Sequence, residues 1–390
     1  MKIAVVVPGR FFAFDLAVAL IGRGHHVTVF TNYPVWAAQR FGLGSETIRS
    51  FWAHGVASRI LNRLGRALPS VCDTPELHRL FGRWAAKEIS RESWDIVHLY
   101  SGIAQEFLEG SRRAGHYTQL VRASAHIRVQ DRLLSEEENR SGQAIERPAA
   151  WMLAREEKEY ELCDEILTVS RFAYNSFLEE GVSKTKLRLL PLGVDASHFR
   201  PNAGLVAERR RRIREGNPLR VLYVGVASYR KGLLDFARVV DTMRGQRVQF
   251  RFVGTIPPES QATIRSIRNA VEMIPHQPQS ELPGWYAQSD LFMFPTIEDG
   301  FPVVLAQANA SALPILTTTN CCGPELIREG ETGWTLPIRE PQAFVDRLLW
   351  CDQNRSELAD MIEHLYQTYR PRDWSSVAED FETICRQGCH

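Results

Sequence analysis

The sequence predicts an α/β protein of two doubly wound halves with parallel sheets, facing each other across a central cleft. Three observations carry that expectation. The chain has 390 residues, more than one ordinary core organises. Short continuous apolar runs alternate with amphipathic stretches, as strands buried on both faces alternate with their crossover helices. The alternation then starts again after residue 217.

The elements follow in order. "KIAVVV" at the start reads as a first strand, "FDLAVALIGRG" as the helix after it and "HHVTVFT" as a second strand; "DIVHLY", "TQLVRA" and "EILTVS" continue the series. The second series is "LRVLYVG", "VQFRFVG", "VEMIP", "DLFMFP", "LPILTT" and "TGWTLP". Between the two series, residues 189–218 are rich in Pro, Gly and polar side chains and read as a linker, with the arginine run at 209–212 as a solvated helix face. The domains are expected at 1–196, joined by a terminal helix at 374–390, and at 197–373.

Composition narrows the class. Hydrophobic residues make up 44% and charged residues 24%, values of a water-soluble globular chain, and the formal net charge of +1 argues against bulk nucleic-acid binding. The seven cysteines are odd in number and form no CxxC pair, which suggests thiols in a reducing compartment, with the cytoplasm as default. The apolar run before Pro8 is too short for a secretory signal core. The uncharged stretch 301–324 is long enough to span a bilayer, but Pro302, Gln307, Asn309, Pro314 and Asn320 make that costly. No transmembrane segment is expected.

Three motifs point into the expected cleft. In "PGR", Gly9 follows the first strand and lets backbone approach a ligand, although an ordinary tight turn reads the same way. In "VGVASYRKG", Arg230 and Lys231 sit on a loop at the carboxyl end of a strand, where two cations can neutralise a diphosphate without a metal. Lys231 is one of only six lysines among 47 Lys and Arg residues, while surface solvation is the plain alternative.

The third motif is "TIEDGFPVVLAQANASALPIL" at 296–316. Pro302 suits a first helical turn, whose unsatisfied amides and positive dipole end face whatever anion lies above Gly300 and Phe301. Carboxylates would repel that anion, so Glu298 and Asp299 are assigned to hydroxyls. Gln307 follows Asp299 by eight residues, so the two can grip opposite ends of a ligand on the order of 10 Å long. A nucleotide sugar meets every demand; simple helix capping by the two acids meets fewer.

These residues also carry a resemblance. "RGHHVTVFT", "SWDIVHLY", "CDEILTVSRF", "KLRLLPLGVDASHFRP", "LYVGVASYRKG", "SDLFMFPTIEDGFPVVLAQANASALPIL" and "GPELIREGETGWTLP" occur in the order found in retaining glycosyltransferases of family 4, and "YRPRDWSSVAEDFETICRQ" resembles that family's terminal helix crossing back onto the first domain. The resemblance implies a B-type glycosyltransferase fold of two Rossmann-like domains, the one at 1–196 binding the acceptor and the one at 197–373 the nucleotide sugar, with a nucleotide-diphosphate sugar donor, no metal or other cofactor, and transfer with retention to a hydroxyl of a glycan, glycolipid or small molecule. It places Arg230 and Lys231 on the diphosphate, the backbone at Gly300, Phe301, Pro302 and Val303 on donor sugar and phosphate, Gly9 near the donor–acceptor junction, and His126 of "ASAHIRVQ" beside the donor sugar. Asp299 and Gln307 stand where the family signature has two glutamates; Gln307 still hydrogen-bonds a ribose, and Glu298 shares the sugar-binding role.

Residues 51–68 place Ile60, Leu61, Leu64 and Leu68 on one helical face and Arg59, Arg63 and Arg66 elsewhere. That pattern fits peripheral contact with the cytoplasmic membrane face or, equally, core packing. Two other functions stay open at this point: a nucleotide-sugar epimerase on a similar scaffold, and a non-catalytic sugar-nucleotide-binding subunit.

Overall fold

The computed structural model describes residues 1–65, 74–111 and 116–388, with the side chains of 62–65 and 111 not described. Seven strands form the first sheet: β1 (Lys2–Val7), β2 (His26–Thr31), β3 (Ile48–Ser50), β4 (Ile96–Tyr100), β5 (Tyr117–Arg122), β6 (Glu165–Thr168) and β7 (Leu187–Leu189). They run parallel in the order β3-β2-β1-β4-β5-β6-β7. The second sheet has six: β8 (Leu219–Val226), β9 (Val248–Thr255), β10 (Val271–Pro275), β11 (Leu291–Phe294), β12 (Ile315–Thr318) and β13 (Gly333–Leu336). Their order is β10-β9-β8-β11-β12-β13, again all parallel.

Every strand expected from the sequence is present. The short edge strands β3 and β7 are additions, because three residues are too few for a periodicity signal. Strand β1 shows why the sheet is covered twice: Ile3, Val5 and Val7 enter one core and Ala4 and Val6 the opposite one, the two-residue alternation of a strand. The first core lies under the helix Ala13–Gly22, which stops where the Gly24 N–H donates to Ile21 O at 2.9 Å and the His25 N–H to Leu20 O at 3.2 Å around a left-handed Gly24 (φ 87°).

The terminal helix Trp374–Gly388 crosses back onto that core and contributes Val377, Ala378, Phe381, Ile384 and Cys385. Its Glu382 accepts hydrogen bonds from Arg23 Nη2 at 3.0 Å and His25 Nε2 at 2.9 Å. The Arg23 contact, followed by that of His25, holds the Glu382 carboxyl down at about 2.

The stretch 189–218 differs from the linker expected of it. Val194, Ala196, Phe199, Val206 and Ile213 belong to the core around the second sheet, and residues Ala203–Arg214 form a helix packed there. Arg209, expected to face solvent, is 4% exposed. Its guanidinium donates to the carbonyls of Ser311 (2.9 Å), Ala312 (3.0 Å) and Ala287 (2.9 Å). These groups lie at the ends of the helices Leu282–Ala287 and Val303–Ala310, where carbonyls have no partner within their own helix.

The halves touch closely. A β-carbon at Gly300 would come within 2.0 Å of Ala123 O, so only glycine allows that approach. Ala125, Val129 and Leu133 from the first half pack with Ile297 of the second. The two connections between the halves also run together: the Val194 N–H donates to Arg372 O at 2.9 Å, and a β-carbon at Gly193 would lie 2.8 Å from Asp373 C.

Candidate active site in the interdomain cleft

Strand order reverses between β1 and β4 in the first sheet and between β8 and β11 in the second. In such sheets the loops leaving the carboxyl ends at the reversal diverge and open a crevice for ligand. Four segments occupy those ends: residues 8–12 after β1, 101–104 after β4, 227–232 after β8 and 295–302 after β11. All the residues expected in the site except His126 and Gln307 lie on, or directly after, these segments.

Gly9 adopts φ 125° and is fixed by a hydrogen bond from Thr31 Oγ1 to its carbonyl at 2.8 Å. Phe11 follows with φ 41°, unusual for a bulky residue, and the residue is 59% exposed. The loop is thus built to hold an aromatic ring out at the mouth of the cleft.

The cations and carboxylates pair off. Arg230 Nε donates to Glu298 Oε2 at 2.8 Å and its Nη2 to Ser124 Oγ at 3.2 Å. Lys231 Nζ forms an ion pair with Asp299. Gly232 ends this turn in the left-handed region (φ 78°), and a β-carbon there would strike Pro295 O at 1.7 Å, so the loops after β8 and β11 are pressed together. The Ile297 N–H donating to Arg230 O at 2.9 Å ties them further.

Glu298 has different partners from the hydroxyls expected of it. It is wholly buried, and besides Arg230 it accepts from the Ser124 hydroxyl, the Ala125 N–H at 3.1 Å and Gln130 Nε2 at 3.1 Å. Burial pushes its pKa up, but Arg230, the Ser124 hydroxyl, Lys231 and the Ala125 amide together outweigh that and bring it to about 2. The group is a carboxylate clamped between the halves. Ser124, Ala125 and Gln130 were not singled out in the sequence, although the adjacent "SAH" drew attention to His126.

His126 is 4% exposed and caps the helix Ile127–Ser141, its Nδ1 accepting from the Arg128 N–H at 3.3 Å. Its ring packs against Tyr160 and Phe177 with centroids at 4.9 Å from each, and burial lowers its pKa to about 4. The ring is thus buried against two aromatic side chains at the start of that helix, where the resemblance expects a histidine beside the donor sugar.

Phe301, Val303 and Gln307 line a cleft cavity of about 330 Å³ together with Arg10, Asp15, Asp195 and Gln279. Pro302 is buried at the position just before the helix Val303–Ala310, whose first turn opens at this cavity, and Val303 is 43% exposed. Gln307 Oε1 accepts from the Tyr286 hydroxyl at 3.2 Å, which fixes the carboxamide orientation. Arg10 Nη2 lies 3.3 Å from Asp15, whose carboxyl is raised by burial against the opposing pull of Arg10. A second cavity, of about 450 Å³, lies within the first half and also reaches Gly9 and Phe11.

Residues 11–198 match a family profile described as Glycosyltransferase Family 4, and residues 218–354 match Glycosyl transferases group 1. The chain belongs to the glycosyltransferases of the B-type fold. A candidate colanic acid biosynthesis glycosyltransferase of Salmonella typhimurium is 23% identical over 96% of this glycosyltransferase and 94% of its own length. The amylovoran biosynthesis glycosyltransferase AmsK of Erwinia amylovora is 23% identical over 50% of this chain, which spans about half, 49%, of that relative. Among solved structures, Anabaena HepE in complex with UDP superposes with a TM-score of 0.67 at 14% identity over 99% of this chain and 100% of its own. Sucrose-phosphate synthase of Thermosynechococcus elongatus reaches 0.71 at 16% identity, over 99% and 98%. At such identity the superpositions speak for the fold.

Among the described residues, no group of three or more His, Cys, Asp or Glu side chains is arranged to hold a metal ion. No helix among them is long and apolar enough to cross a membrane. The described cysteines, 163, 321, 322, 351 and 385, are buried and outside any disulfide; Cys72 and Cys389 fall outside the described residues.

Proposed function

We propose that this glycosyltransferase is a retaining, metal-independent enzyme that moves a sugar from a nucleoside-diphosphate donor to a hydroxyl of a surface polysaccharide or glycoconjugate precursor. The observation behind the reading is that switch-point loops of both sheets border one cleft cavity, with Phe301, Val303 and Gln307 on one wall and Arg10, Phe11 and Phe12 on the other. In this reading the diphosphate sits over the first turn of Val303–Ala310. There the free amides and the helix dipole, with Lys231 beside them, stabilise charge on the leaving group. Asp299 shares Lys231 with the ligand and accepts from donor-sugar hydroxyls, and the Gln307 carboxamide takes the ribose. Arg230 and Glu298 hold the two walls at the spacing the reaction needs.

Retention without an enzyme nucleophile calls for the acceptor hydroxyl to attack from the face the diphosphate leaves, its proton passing to a leaving-group oxygen. A closed cleft keeps water from taking the acceptor's place. The names of the relatives above favour a polysaccharide acceptor. Peripheral membrane contact is part of the proposal: Trp52, Val56 and Ile60, spaced by one helical turn on Trp52–Gly65, are 60%, 41% and 52% exposed. Leu64 and Leu68 of that expected face lie outside the described side chains.

The test is a thermal-shift screen with UDP-, GDP-, dTDP- and ADP-sugars. A donor at one hundred times its Kd adds about 2.7 kcal/mol of stability. At least one donor should raise the Tm of the wild type and fail to raise that of Lys231→Ala, and the productive donor should yield a product with unchanged anomeric configuration by NMR. Silence across all four, or inversion in the product, overturns the reading.

A further inference from the structure

The second cavity lies outside the donor cleft. Helix Trp52–Gly65, the helix Pro75–Ile89 and the loops after β1 and β2 enclose it, and it is lined by Asn32, Tyr33, His54, Ser58, Arg59 and His78 among others. The walls are fixed in place. A β-carbon at Gly55 would lie 2.1 Å from Asn32 O, so the helix can rest on the end of β2 only with glycine there. His54 bridges Asn32 Nδ2 at 3.2 Å and Leu77 O at 3.1 Å, and His78 Nδ1 lies 2.8 Å from Gly102 O.

Among the described residues, the charge lining it is one-sided. No Asp or Glu is among its lining residues, whereas Arg59 lies with its guanidinium 5.2 Å from the centroid of the Tyr33 ring and has no carboxylate partner among the described residues. The cations of the donor side are all matched: Arg10 by Asp15, Arg230 by Glu298 and Lys231 by Asp299. A guanidinium on an aromatic face, beside amide and hydroxyl groups and with no carboxylate partner among the described residues, suits an oxyanion attached to a hydroxylated molecule. The volume of about 450 Å³ is that of a small-molecule site.

We propose that this cavity seats the acceptor, that the acceptor bears an oxyanion, either a phosphate or a carboxylate, and that Arg59 binds it. The inference rests on the transferase reading above and gives its acceptor a chemical class. Gly9 and Phe11, shared between the cavity wall and the switch-point loop, place the acceptor's far end at the junction with the donor cleft.

Binding tests it without any need for transfer. Octyl glucoside, octyl glucuronide and octyl phosphate, each below its micellar concentration, are titrated into the full chain by calorimetry. One charged probe should bind at least about tenfold more tightly than the neutral one, the worth of a single charge-assisted contact. That advantage should fall to about twofold or less in Arg59→Gln, an exposed position whose exchange should leave the Tm unchanged, and should persist in Lys231→Ala. Preference for octyl phosphate identifies a phosphate-linked acceptor, and preference for the glucuronide an acidic sugar. Equal binding of all three probes, an advantage retained in Arg59→Gln, or one lost in Lys231→Ala overturns the proposal. Failure of the donor screen alone would strike the transferase reading and leave this binding result standing.

Discussion

Glu298 shows how a single side chain can change its meaning between sequence and structure. Beside Asp299 it looks like a second ligand for sugar hydroxyls, but its partners Ser124 and Gln130 are 174 and 168 residues distant, and nothing local announces them. The placing of Asp299 and Lys231 on loops at strand ends was legible because it follows from the strand order. Removing the Glu298 carboxylate takes the hydrogen-bonded partner from Arg230 and leaves the buried Ala125 N–H and Gln130 amide without their acceptor, so Glu298→Ala should cost about 2 kcal/mol. The sign with pH is definite. Its folded pKa of about 2 lies below the ordinary 4.5, so its contribution is complete above 4.5 and disappears as pH falls from there towards 2. The gap in urea stability between wild type and Glu298→Ala should therefore close over that interval, and a constant gap would rule out the clamp.

At the scale of elements, apolar runs and their alternation identified every long strand, since parallel strands buried on both faces leave little room for polar residues. What escaped were pieces whose role depends on where other pieces end. The helix Ala203–Arg214 carries four consecutive arginines and looks solvated, yet Arg209 serves the carbonyl ends of two other helices, Arg210 pairs with Glu363 at 2.6 Å, and Arg212 pairs with Asp290. A sequence states that charge is present; helix termini decide whether it is buried. Arg209→Met keeps much of the side-chain volume but leaves those buried carbonyls without donors, at a cost of about 2–3 kcal/mol. Arg211→Met, on the exposed side of the same helix, should change stability by less than about 0.5 kcal/mol. Equal Tm losses in the two variants would contradict this division.

For the whole molecule, the two-sheet design and the returning terminal helix were legible because each half repeats one pattern and the last helix resembles a known one. The fit between the halves was not, since it depends on a backbone distance. Gly300 sets that distance. In Gly300→Ala the new methyl would meet Ala123 O at 2.0 Å, so the halves must separate or tilt while each core stays intact. Small-angle scattering should show a larger radius of gyration for Gly300→Ala, and transfer should fall by roughly a hundredfold if a misplacement of about 1 Å disturbs reacting groups as it commonly does. An unchanged radius with full activity would mean that this contact does not govern the cleft.

The paired crossings at Gly193 and Asp373 have a mechanical consequence. One tether would let the lobes swivel in any direction, but two lying side by side act as the pin of a hinge. Such a pair resists turning of one lobe against the other about their long axis more than a single crossing would, which favours an opening that returns the same residues to face each other.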